Sequence, residues 1–303
     1  MGFVRLWQHR TTMGLARAVD HYENFPVASL LCPPQWRGAV VALYRLARWA
    51  DDVADEGEHS PAQRLALLQR LRAAVQGQAA EPAEDAPWGT RLRDWQAARQ
   101  RHGLPVQPLL DLLDAFEQDV RWTAQGRRMA DEAELLDYCR RSAHPVGRLM
   151  LHLAGVHEPQ ALAESDAICT ALQLINCLQD LGVDEARGRR YLPDAWLRRY
   201  GLEPQQPLAA HGATALTPVV RLGCARARAL LAQGWALPRR VGGRLGWELR
   251  LVLQGGLGVL QRVEALGGRV LVQRPRLRGA DAPRLLWHAF WHRAPAVRDD
   301  PVC

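Results

Sequence analysis

The chain has no lysine, so apart from His every side-chain cation in its 303 residues is arginine, and the formal charge is +7. An arginine-only chain rich in Ala, Leu, Gly and Pro reflects GC-rich coding more than function. Arginine is nevertheless the better bidentate partner for phosphate. Long apolar runs are also missing: nothing approaches the roughly 18–20 uninterrupted apolar residues of a membrane span. From Met1 to Asp20 the chain carries Arg5, Arg10 and Arg17 without a compact apolar core and a small-residue cleavage site. No secretory signal is read, and the cytoplasm is the expected compartment. The six cysteines, Cys32, Cys139, Cys169, Cys177, Cys224 and Cys303, form no C-x-x-C pair. They are expected to be small core residues in a reducing compartment, not metal or redox ligands. The arginines are spread out and not gathered in one aromatic-interleaved patch, which argues against a nucleic-acid partner. Peripheral attraction to an anionic membrane surface, at its inner face, fits the charge better.

Strand signals are absent too: there are no period-2 runs, no Asn-Gly or Asp-Gly hairpins and no repeat of 20–50 residues. What is present is helical periodicity. It predicts helices over 36–54, from Pro61 through Val75, over 90–101, 105–123, 131–143, 164–182, 217–237 and 246–266. Ser60 with Pro61 reads as an N-cap and N1 pair, and Gly57 as a C′ glycine. Residues 77–87 and 204–217 read as loops. The expectation is an all-α chain forming a single domain over 1–303, with a core at about 20–280 and a looser tail over 281–303.

Two acidic pairs share the spacing Asp-x-x-x-Asp: Asp51–Asp55 and Asp180–Asp184. Residues four apart on a helix lie on one face, so each pair sets like charges one above the other. The first is preceded on its face by Tyr44 and Arg48. The bland reading is a solvated last turn, but the helix dipole opposes acids there. Gln173 and Asn176 precede the second on its face, amid Leu172, Ile175 and Leu178, and Arg189, Arg190 and Tyr191 follow it. The bland reading here is a satisfied buried polar network beside a basic loop. Two such stripes together suit several Mg²⁺ ions carrying the oxygens of a diphosphate. Arg48, Arg189 and Arg190 are candidates to clamp phosphate oxygens. The faces of Phe25, Tyr44, Tyr138 and Tyr191 could stabilise a carbocation left when a diphosphate departs.

Three stretches carry a resemblance: Tyr44-x-x-x-Arg48-x-x-Asp51-Asp-x-x-Asp55; Gln173-x-x-Asn176-x-x-x-Asp180-x-x-x-Asp184-x-x-x-x-Arg189-x-Tyr191; and Gln254 to Leu277 with its glycine pairs and Arg274. Over roughly residues 20–280 the chain resembles the squalene/phytoene synthase family of head-to-head prenyl synthases. Its segments His21 to Ser29, Tyr138 to Gly147 and Gln179-Asp180 are most similar to the hydroxysqualene-forming branch of hopanoid biosynthesis, where Gln179 replaces the arginine of most members. The resemblance implies an isoprenoid-synthase helical bundle with a central cavity between two Asp-rich helices. It also implies Mg²⁺-assisted ionisation of presqualene diphosphate and capture of the cation by water. By the same resemblance, Asp51, Asp55, Asn176, Asp180 and Asp184 are metal ligands. Tyr44, Arg48, Gln173, Arg189 and Tyr191 line the diphosphate site, with Tyr138 a further catalytic residue. His21 and Phe25 line the substrate channel. A presqualene diphosphate synthase and a hydroxysqualene oxidoreductase are the implied pathway partners. His144 stands where this branch is expected to have Asn, and a role in positioning the captured water is one hypothesis.

Gly255-Gly256-Leu-Gly258 follows no strand and lacks dinucleotide-fingerprint spacing, so it is read as close helix packing and no nicotinamide cofactor is expected. His152 and His157 lack a Glu partner and are not read as a metal site. Trp287, Phe290 and Trp291 are read as core packing, with membrane-surface contact the alternative. Two rival functions stand. One is condensation of two farnesyl or geranylgeranyl diphosphates; the other is a catalytically silent assembly protein.

Overall fold

The computed structural model describes residues 32–78 and 86–292. All regular secondary structure among them is helical. The first group comprises α1 (Pro34–Asp55), α2 (Pro61–Val75), α3 (Gly89–His102) and α4 (Gln107–Gln125). Next come α5 (Glu132–Ser142), α6 (His144–Leu153), α7 (Pro159–Gln179), α8 (Leu181–Ala186) and α9 (Asp194–Arg199). The chain ends in α10 (Leu208–Gln233), α11 (Leu237–Val241), α12 (Gly243–Leu266), two 3-10 turns at Gly267–Leu271 and Gly279–Asp281, and α13 (Ala282–Trp291).

Local chemistry sets several boundaries. The Gln63 N–H donates to Ser60 Oγ at 3.3 Å and the Ser60 N–H to Gln63 Oε1 at 2.8 Å, a complete capping box ahead of α2. Gly103 and Gly126 end α3 and α4 at φ of 62° and 61°, where a side chain would be strained.

Two apolar clusters organise the packing. One joins α1 to α4 through Leu46, Leu68, Leu71, Trp95, Leu109 and Phe116. The other surrounds α7 with residues of α5, α10 and α12. The principal partners of α1 are α2, α3 and α4; those of α7 are α5, α6, α10, α11 and α12. The two acid-bearing helices therefore rest on separate cores, bridged where α4 packs on α5 and α6.

Three expectations need correction. The helix predicted over 164–182 starts at Pro159 and breaks at Asp180 (φ −97°, ψ 10°), so Asp180 and Asp184 do not share one continuous helix. The loop predicted over 204–217 gives way to helix at Leu208, and Gly212 kinks that helix with φ 76° and ψ 156°. Trp287, Phe290 and Trp291 are not core: they are 64%, 62% and 51% exposed. At the described positions Cys32, Cys139, Cys169, Cys177 and Cys224 are free and buried, as expected of small core residues. Gly256 also packs as expected, since a Cβ there would lie 2.6 Å from Leu172 Cδ2.

Candidate active site

The polar face of α7 continues past its break. Gln173, Asn176, Gln179, Asp180 and Asp184 are all nearly inaccessible, at 0–5% exposure. Buried polar atoms are normally hydrogen-bonded, so each exception asks for a ligand, an ion or a water. Here the exceptions line up: Gln173 Oε1, Asn176 Nδ2 and both carboxylate oxygens of Asp184 have no hydrogen-bond partner. Burial pushes the Asp184 carboxyl up to about 7; the charges of Asp180 and Asp55 reinforce this and Arg189 opposes it.

Arg189 connects the two stripes. Its guanidinium pairs with Asp55 of α1, whose side chain is 2% exposed, and its Nε–H donates to Thr123 Oγ1 of α4 at 3.0 Å. Burial alone would lower the Arg189 pKa, but Asp119 and Asp55 outweigh it and hold the group firmly protonated. An open cleft of about 350 Å³ lies against this pair, lined by Asp55, His59, Arg64, Thr123, Arg187 and Arg189. Asp180 pairs with Arg274, and beside it Gln179 Nε2–H donates to Pro275 O at 2.7 Å. The neutral Gln179 thus anchors the segment that delivers a cation to Asp180.

The two tyrosines meet at a residue that the sequence reading missed. Tyr138 O–H donates to Asp119 Oδ2 at 2.9 Å and Tyr191 O–H to Asp119 Oδ1 at 3.0 Å. Their ring centroids are 5.1 Å apart. Burial, reinforced by Asp119, raises both phenols well above their ordinary pKa, so they stay neutral donors. The available signal was Asp119-x-x-x-Thr123, a polar stripe between Phe116 and Val120 on an apolar helix.

Other candidates are placed differently. Arg48 pairs with Asp51 at 3.3 Å and with Asp52 at 2.6 Å. Tyr44 and Arg48 line a second cleft with Thr90, Arg91 and Asp94 of α3, which shares no lining residue with the one at Arg189. Arg190, a candidate for phosphate contact, is engaged elsewhere. It pairs with Glu185 and donates to the carbonyls of Pro204 and Gln206, bracing the loop before α10. His144 Nε2 shares a 2.7 Å hydrogen bond with Thr170 Oγ1, and its Nδ1 faces Asp166 at 3.4 Å. His21 and Phe25 lie outside the described residues.

Among the described residues, no three carboxylate, His or Cys groups form a ready-made metal cage. Mg²⁺ rarely requires one: it is typically held by one or two carboxylates, water and substrate phosphate. The partnerless, buried Asp184 carboxyl, with Asp180 in the next turn, fits such an ion as it stands. Asp51, Asp55 and Asp180 already have arginine partners.

These features sit on a known architecture. The squalene synthase HpnC from Alicyclobacillus acidocaldarius has a TM-score of 0.68 with this chain at 34% identity, covering 84% of this chain and 91% of that one. Fold and site together define an all-α enzyme of the isoprenoid-synthase type. The family model for squalene/phytoene synthase matches residues 18–281. A hydroxysqualene synthase of Sinorhizobium fredii is 36% identical over 238 residues, 78% of this chain and 77% of that protein. A presqualene diphosphate synthase of Rhodopseudomonas palustris is 33% identical over 199 residues, 65% of this chain and 67% of that protein. The chain belongs to the squalene/phytoene synthase family and is an enzyme of it.

Proposed function

We propose that this enzyme converts presqualene diphosphate to hydroxysqualene in a Mg²⁺-dependent reaction, with release of diphosphate and capture of the carbocation by water. The observation that carries the reading is the line of partnerless buried polar atoms, Gln173 Oε1, Asn176 Nδ2 and the Asp184 carboxylate, next to the Arg189–Asp55 pair. The similarity to hydroxysqualene synthases and the neutral Gln179 beside Asp180 favour this substrate.

Asp184, Asp180 and Asn176 would hold Mg²⁺, with Asp55 and Asp51 on the opposing helix. Bound there, the ion would neutralise diphosphate oxygens and improve the leaving group. Arg189, charged and oriented by Asp55 and Thr123, binds a diphosphate oxygen at the cleft. Arg274, oriented through the Gln179–Pro275 contact, adds a second guanidinium. Tyr138 and Tyr191, fixed by Asp119, turn aromatic faces toward the developing carbocation and donate their hydroxyl hydrogens to that carboxylate. The enzyme then draws its substrate from a separate synthase and passes its product to an oxidoreductase.

The test is direct. Purified protein is incubated with Mg²⁺ and presqualene diphosphate, farnesyl diphosphate or geranylgeranyl diphosphate, with and without NADPH, and the hydrocarbon products are identified by mass spectrometry. Hydroxysqualene from presqualene diphosphate alone is expected. Activity that persists in EDTA sinks the metal requirement. The second reading is condensation of two prenyl diphosphates, favoured by the similarity to presqualene diphosphate synthase. Coupled product from farnesyl or geranylgeranyl diphosphate, with presqualene diphosphate left unconsumed, would establish it instead.

A further inference from the structure

α13 turns its largest apolar side chains away from the protein. Leu285 and Ala289 are buried, whereas Leu286, Trp287, Phe290 and Trp291 are 57%, 64%, 62% and 51% exposed. Trp247 of α12 extends the same surface: it is 41% exposed, with its ring 6.3 Å from Phe290. Trp291 stands edge-on to Trp287 at 5.9 Å and to Phe290 at 5.5 Å. A contiguous aromatic patch of this kind on a surface marks an interaction site.

The patch is held in place. His292 ends α13 in a left-handed conformation (φ 43°), and its N–H donates to His288 O at 2.8 Å. Its ring stacks on Trp235 at 4.9 Å, and the Trp235 Nε1–H donates to His292 O at 3.3 Å. Leu285, Ala289 and His292 thus clamp one side of the helix and leave the other outward.

The charge carried by these helices is mostly positive. From Leu237 to Gln254 the chain carries Arg239, Arg240, Arg244 and Arg250 against one carboxylate, Glu248, which is buried. Arg240 is taken by Glu164, and Arg250 lies over the Trp247 ring at 4.8 Å. α13 itself carries Arg284 and His288 and no carboxylate. Asp281, just before it, is neutralised by both nitrogen–oxygen contacts to Arg262, at 2.6 and 2.8 Å.

We propose that α13 and the start of α12 form a docking surface for an anionic lipid bilayer. The tryptophans and Phe290 enter the headgroup boundary, where amphipathic rings are favoured, and the arginines meet lipid phosphates. Charge complementarity favours this occupant: helices rich in arginine beside exposed aromatic rings match anionic headgroups. No helix among the described residues is long and apolar enough to cross a membrane, so the contact is interfacial. The inference does not depend on which diphosphate the enzyme uses.

The full chain, without substrate, is sedimented with vesicles of phosphatidylcholine alone or of phosphatidylcholine with phosphatidylglycerol. Strong binding to the anionic vesicles, weakened by high salt, is expected. Trp287→Ser and Phe290→Ser are each expected to weaken binding about tenfold and to leave the circular-dichroism melting curve unchanged. Arg244→Gln with Arg284→Gln is expected to weaken only the anionic component. Equal binding by the aromatic variants, or no binding by the parent, overturns the proposal. So does a dimer that these substitutions dissolve while vesicle binding is absent.

Discussion

Replacing Asp184 by Asn is expected to stabilise the metal-free protein at pH 8 while abolishing turnover. The Asp184 side chain is buried, neither of its oxygens has a hydrogen-bond partner, and its pKa rises from 3.8 to about 7. Between those values the folded protein holds a proton that the unfolded chain releases. The stabilising effect is complete below pH 3.8, and it is lost as the pH rises through about 7. A gap of about three pH units, at roughly 1.4 kcal/mol each, makes the charged carboxylate cost on the order of 4 kcal/mol above that window. An Asn amide in the same place is also buried and poorly paired, which returns about 1–3 kcal/mol. The net gain is on the order of 2 kcal/mol, or about 3 °C in melting temperature for a chain of this size.

The assay is thermal unfolding in EDTA at pH 5 and pH 8. The parent should lose more stability than Asp184→Asn between the two. Mg²⁺ added at pH 8 should raise the melting temperature of the parent and not that of the variant. A variant less stable than the parent at pH 8, or parallel pH profiles, would refute the reasoning.

Arg189→Gln removes a buried cation that pairs with the Asp55 carboxylate and is expected to cost about 3–5 kcal/mol, read by denaturant unfolding, with loss of activity. Tyr138→Phe keeps the ring beside Tyr191 but removes one donor to Asp119. A cost of about 1–3 kcal/mol is expected, with kcat falling more than KM changes. Gly182→Ala would place a Cβ 1.9 Å from the backbone oxygen of Leu271, which only a backbone shift relieves. At least about 3 kcal/mol of destabilisation is expected, and a melting temperature within error of the parent would contradict it.

The helical class was legible because apolar residues recur every three or four positions almost throughout. The failures have local causes. The period runs unbroken from Gln173 through Leu181, so the break at Asp180 left no trace in the pattern. Gly182, taken as the end of the predicted helix, instead permits the close approach to Leu271. The helix His144–Leu153 was not predicted, because Pro145 interrupts the pattern, yet that residue occupies the first turn of α6, where proline is tolerated. In α13 the aromatic residues were assigned to the core by their hydrophobicity. Only Leu285 and Ala289 face inward, and composition does not say which side of a short helix another element will cover.

The candidate site divides in the same way. Its stripes were legible because like charges one helical turn apart conflict with local preference, and such conflicts mark sites. Asp119 was not, because its meaning depends on Tyr138 and Tyr191 arriving from α5 and from beyond α8. Nor was Arg274 as the partner of Asp180, which depends on Gln179 gripping the next carbonyl. Assembled, these residues set the charge balance of the site. Asp55, Asp119, Asp180 and Asp184 stand against Arg189 and Arg274, while Arg48 is engaged with Asp51 and Asp52. Two negative charges exceed the arginines: Asp119, whose oxygens accept from two tyrosine hydroxyls, and Asp184, whose oxygens accept from nothing. An interior does not hold such an excess without protonation or an added cation. At acidic pH a proton serves; near neutrality a divalent ion would, and the charge it brings is the charge the site is short of.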